Sequence, residues 1–157
     1  MSDESDKNKL KRMESILQKI DIPYEYIEFN TGGGNFKPAL VINGVFQEIT
    51  FNVFITIKKI EGLNEWFLIR CLVYDVSKLD VKKVNEVLKL CLSLNYLIPE
   101  TTFSLYENSI FIEAEMPLDI DVERFNFEII GIELGLANFL KKMKNIGLEV
   151  SAPKFGD

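Results

Sequence analysis

The sequence predicts an α+β domain: an antiparallel β-sheet with about three α-helices, in the order helix, strands, helix, hairpin, long C-terminal helix. Three observations lead there. Between Asp121 and Gly147, the residues Val122, Phe125, Ile129, Ile132, Leu136, Phe139, Met143 and Ile146 recur at spacings of three and four, the period of one apolar helical face. Upstream, strand-length runs follow one another with short turn signals between them, so neighbouring strands pair antiparallel. A second helical period, from Val81 to Leu94, separates those strands from a final hairpin.

Taken in order, residues 1–6 are polar and read as a disordered N-terminal tail. Leu10, Met13, Ile16, Leu17 and Ile20 mark a short amphipathic helix, stopped at Asp21-Ile22-Pro23. Tyr24 to Phe29 reads as a strand, broken by Thr31-Gly32-Gly33-Gly34-Asn35. That glycine run lacks the Gly-Lys-Ser/Thr ending of a phosphate loop and leads into another strand, so it reads as a hairpin loop. Ala39 to Ile42, Asn43-Gly44 and Val45 onward predict a tight hairpin, because Asn-Gly suits a type I′ turn. The strand that follows puts Ile49, Phe51, Val53, Ile55 and Ile57 on one face, with Thr50, Asn52, Phe54, Thr56 and Lys58 on the other.

Trp66 to Tyr74 is apolar at almost every position and predicts a central strand. Arg70 within it is expected to snorkel or to pair with a carboxylate. Asp80 caps the second helix, whose apolar face is Val81, Val84, Val87, Leu88, Cys91, Leu92 and Leu94. Thr101 to Tyr106 and Ser109 to Met116 form a hairpin around Glu107-Asn108. Asp121 caps the last helix, Lys141, Lys142 and Lys144 sit where its dipole favours positive charge, and Gly147 ends it. The domain spans 7–148 as a single unit, with a C-terminal tail at 149–157.

The last helix has a second stripe. At about 100° per residue, Phe127, Ile130, Leu134 and Ala137 fall opposite Phe125 and Ile132. A helix apolar on two sides is covered twice, so these four residues form a candidate homodimer interface. The alternative cover is the Leu10 helix of the same chain. Gly131 and Gly135, one turn apart on a flank, are expected to permit close backbone approach.

Composition narrows the function. A net charge of −6 without a dense basic patch argues against nucleic acid. Glu128 and Glu133 interrupt the longest apolar run, so no membrane span is expected. The polar segment from Met1 to Lys9 lacks the apolar core of a signal peptide, and the expected location is cytoplasmic. Cys71 and Cys91 match no zinc or redox spacing and read as buried free thiols. With no histidine, the usual general base and metal ligand are missing. No catalytic residue, cofactor or metal is expected. The remaining enzyme hypothesis would use Glu113 and Glu115, two residues apart on one strand face.

The helix from Val84 to Asn95-Tyr96, the two-strand unit Ser104-Leu105-Tyr106-Glu107-Asn108-Ser109-Ile110-Phe111-Ile112-Glu113-Ala114-Glu115-Met116-Pro117-Leu118, and the acidic cap Asp121 opening a long helix resemble the YbjN-like proteins. Those share the fold of type III secretion chaperones. The resemblance covers half to two-thirds of the chain, and the glycine-rich stretch from Gly32 to Pro38 departs from the compact chaperone pattern. It implies a protein-binding or regulatory role and a homodimer, and carries over no functional residue.

The function expected is therefore a non-enzymatic protein-binding module, chaperone-like or a regulatory adaptor, acting as a homodimer on a protein partner or client. Phe36, Phe46, Phe54 and Phe111 fall on positions the alternation leaves outward, and Phe46, Phe54 and Phe111 are the candidate client-binding residues. The alternative is a small-ligand sensor with a pocket between sheet and helices.

Overall fold

The computed structural model describes residues 3–99 and 101–151. Among them the order is α1 (Asp3–Lys19), β1 (Glu25–Asn30), β2 (Phe36–Phe46), β3 (Ile49–Lys58), β4 (Trp66–Asp75), α2 (Val81–Leu97), β5 (Thr102–Tyr106), β6 (Ser109–Pro117) and α3 (Val122–Asn145). The strands form one antiparallel sheet in the order β1-β2-β3-β4-β6-β5. The α+β class and the element order read from the sequence both hold. β4 is central, as its continuous apolar run predicts, and α2 carries the chain from it to the far edge strand β5.

Strand parity places the core. Leu40, Ile55, Ile69 and Ala114 stand in register across four strands, and all four are buried. Onto this face pack Leu10, Met13 and Leu17 of α1, Val87 and Leu94 of α2, and Phe125, Phe139 and Met143 of α3. Phe139 stacks on Phe103 of β5 at 5.4 Å between ring centroids and meets Tyr74 edge-on at 6.4 Å. The helix caps are as read: the Asp80 side chain accepts from Lys83 N–H and that of Asp121 from Arg124 N–H, both at 2.8 Å. At the end of α3, Gly147 has φ of 77°. Its N–H donates to Lys144 C=O and that of Leu148 to Met143 C=O, which is a Schellman ending. α1 ends the same way, but with Asp21 in the left-handed position at φ of 57°.

Three readings are corrected. The hairpin between β2 and β3 turns at Gln47-Glu48, with φ of 49° and 66°, and Asn43-Gly44 lies inside β2. A turn at Asn43-Gly44 would set Leu40 against Gln47. The turn at Gln47-Glu48 sets Leu40 against Ile55 and Ile42 against Val53, keeping Leu40, Ile42 and Phe46 on the helix face with Phe51, Val53 and Ile55. Register over the whole strand outweighs a local turn preference. The expected tail over residues 1–6 is also too long, because α1 begins at Asp3. Asp6 is buried, with Oδ1 2.9 Å from Lys59 Nζ but without hydrogen-bond geometry, and Lys9 pairs with Glu65. These contacts tie the first turns of α1 to the segment between β3 and β4. At the other boundary, Leu148 and Val150 pack against the core; residues 152–157 lie outside the described residues. Finally, Gly135 is not needed for close approach: a Cβ there would meet Ile112 and Phe103 at an ordinary 3.8 Å.

Candidate interaction surfaces

α3 rests on the sheet through one side, and among the described residues the other side stays open. Phe127, Ile130 and Leu134 are 54, 52 and 53% exposed, and Ala137 is half-buried beside them. The four candidate interface residues therefore share one outer stripe. α1 does not cover it. That helix packs on β2 and β3, and it reaches α3 at the start, where Arg12 donates to Asp119 C=O at 2.8 Å and Ile120 C=O at 3.1 Å. Arg124 lies over the Phe127 ring at 5.7 Å and pairs with the buried Glu128 carboxylate at 2.9 Å.

A second surface lies between α2 and the edge strand β5. Leu88, Cys91 and Leu92 of α2, with Phe103, Ser104 and Leu105 of β5 and Ile110 of β6, line an apolar groove of about 240 Å³. Leu92 and Leu105 are exposed at its rim, and Tyr96 and Leu97 are exposed at the end of α2. The strand edge beside the groove is partly closed. The Asn95 side chain accepts from Phe103 N–H at 2.6 Å and donates to Phe103 C=O at 3.0 Å, occupying both outward backbone groups at that position. An added strand would have to displace Asn95. A side chain inserted into the groove would not. The sequence marked Asn95 as part of a pattern without assigning it this role. The signal was a polar residue of low helix propensity next to the apolar face of α2.

The sheet face away from the helices forms the third surface. Val41, Phe54, Arg70 and Glu113 make one rung across β2, β3, β4 and β6. Arg70 Nε donates to Glu113 Oε1 at 2.5 Å and its guanidinium lies 5.0 Å from the Phe111 ring centroid. Arg70 thus pairs with a carboxylate, as expected. Glu115 pairs with Lys58. The two glutamates of the enzyme hypothesis are each held by a cation.

The candidate client-binding residues are not brought together. Phe54 and Phe111 share this helix-free face and are half-buried. Phe46 is not outward. It pairs with Ile49 across the Gln47-Glu48 turn, so it falls on the helix face and packs against the core. Phe36 is 48% exposed at the start of β2. Phe54 and Phe111 are separated by β4 and Arg70, so they offer two apolar edges around an ion pair and no continuous groove.

Cys71 and Cys91 are buried and unpaired, and burial pushes each thiol up to about 12. No group of three or more His, Cys, Asp or Glu placed to hold a metal occurs among the described residues. No helix among them is long and apolar enough to cross a membrane. No family model matches this sequence, and no curated protein matches it either.

Proposed function

We propose that this protein is a non-enzymatic protein-binding module, chaperone-like or a regulatory adaptor, that acts as a homodimer in the cytoplasm. The observation that carries the proposal is the outer stripe of α3, where three large apolar side chains stay more than half exposed on a helix already anchored by its other face. Covering what remains of each would contribute roughly 1 kcal/mol. Leaving them bare invites aggregation. The groove between α2 and β5 provides a separate seat for a client, and the Asn95 clamp favours insertion of apolar side chains over strand addition. The cations on Glu113 and Glu115 support a structural role for those carboxylates. Free thiols suit a reducing compartment. The reading agrees with the role implied by the resemblance to the YbjN-like proteins.

The test is suppression of aggregation. A chemically denatured reporter protein, diluted into buffer with an excess of this chain, is expected to scatter less light than without it. Leu92→Glu/Leu105→Glu is expected to keep the native circular dichroism and lose the suppression. A wild type that neither suppresses aggregation nor binds unfolded apolar chains by calorimetry would overturn the client-binding role.

A further inference from the structure

The outer stripe of α3 has an internal symmetry. Along the helix its side chains run Glu123, Phe127, Ile130, Leu134, Ala137 and Lys141, evenly placed about the level of Ile132. Ile130 and Leu134 stand two residues to either side, Phe127 and Ala137 five, Glu123 and Lys141 nine. At about 100° per residue, Glu123 and Lys141 both fall on the centre line of the stripe, opposite Ile132, while Phe127 and Ala137 fall on opposite flanks. Each half thus carries what the other half lacks: an acid against a base, a large ring against a methyl.

We infer that the partner on this stripe is a second copy of the chain, its α3 lying antiparallel and crossing near Ile132, so that Glu123 of each copy meets the partner's Lys141. The inference rests on the homodimer proposed above and assigns its geometry. A twofold axis at the level of Ile132 lays the first half of one stripe on the second half of the other. Ile130 and Leu134 of the two copies form the centre. Two ion pairs close the ends, each about 13 Å from the axis at 1.5 Å per residue.

The ring of Phe127 then enters the space bounded by the partner's Leu134, Ala137, Asn138 and Lys141, which are neighbours on a helical surface. A hollow of about 410 Å³, lined by Gln47, Ala137, Asn138, Leu140, Lys141 and Lys144, adjoins this space on the Ala137 side. Arg124 lies over the same ring on its own chain, setting it beside the stripe. Glu123 and Lys141 are exposed and belong to none of the ion pairs formed among the described residues. A parallel arrangement would oppose Glu123 to Glu123 and Lys141 to Lys141.

Charge reversal tests the geometry. By sedimentation equilibrium at low salt, Glu123→Lys and Lys141→Glu are each expected to weaken the dimer roughly tenfold, and the double reversal to restore it to within about threefold of wild type. Both single reversals also oppose the helix dipole, but that loss of stability adds in the double variant, so only a contact between copies is rescued. Mixing a Glu123→Cys chain with a Lys141→Cys chain is expected to give a species cross-linked by a short bismaleimide, which neither chain forms alone. A wild-type dimer with no rescue, or a cross-link within either single variant, would overturn the antiparallel geometry and leave the homodimer standing. A wild type that stays monomeric would remove both.

Discussion

On the inner side of α3, Phe125, Phe139 and Met143 are fully buried and Ile132 and Leu136 nearly so; on the outer side, Phe127, Ile130 and Leu134 remain half in water. The two sides use the same kinds of residue. What separates them is reach: the inner side meets Ile112 and Phe103 on the sheet and the helix α2, while among the described residues no other helix or strand lies over Phe127, Ile130 and Leu134. An apolar helical period states that a face gains by being covered. Topology decides which face the chain itself can cover.

The largest expected effect sets the two sides directly against each other. Phe125→Ala is expected to cost about 3–5 kcal/mol of unfolding free energy in urea, because it empties a site without exposure. Phe127→Ala is expected to change monomer stability by no more than about 0.5 kcal/mol and to act on association instead. Similar costs for the two would mean that the outer stripe is packed within its own chain. A smaller effect probes how tight the inner side is. Gly135→Ala introduces a Cβ at ordinary contact distance from Ile112 and Phe103, so helix propensity should win, with a gain of up to about 1 kcal/mol in thermal unfolding. A loss of more than about 1 kcal/mol would show that α3 and the sheet are pressed closer than this.

The thiols sample two depths of the covered side. Cys71 lies in the sheet core and Cys91 on α2 beneath the groove, and burial pushes both up to about 12. At pH 7.5 each is expected to label with a polar thiol reagent only at the rate of local opening, Cys91 ahead of Cys71. Immediate labelling of both would contradict their burial. The smallest effect concerns α1, the helix that does not cover the outer stripe. Lys9 holds the Glu65 carboxyl below its ordinary 4.5, so that contribution is present above pH 4.5 and is lost as pH falls through the lower folded value. The first turns of α1 should then lose amide-exchange protection in acid, taken relative to the intrinsic rate at each pH, by no more than about 1 kcal/mol for a partly exposed pair. Dimerisation should be affected little by this loosening. Dissociation in step with it would make α1 part of the interface.

Much of this was legible in the sequence. The two sides of α3, its caps, the central β4 and the hairpin at Glu107-Asn108 all follow from patterns shorter than thirty residues. What was not legible depends on partners distant in sequence. Residues 3–6 look like a tail until Lys59 is brought beside Asp6. Asn43-Gly44 looks like a turn until β3 is long enough for register to prefer Gln47-Glu48, two residues poorly suited to positive φ. That misplaced turn also sent Phe46 to the wrong face. Asn95 becomes informative once β5 lies against it.

The central claim is that the outer stripe of α3 is an interface between copies, and sedimentation velocity of the wild type and Leu134→Glu from about 1 to 100 µM tests it most directly. The account predicts a wild type that becomes dimeric with rising concentration, and a variant that stays a folded monomer with unchanged helical content. A wild type still monomeric at the top of that range, or a variant that dimerises as well as the wild type, would contradict it.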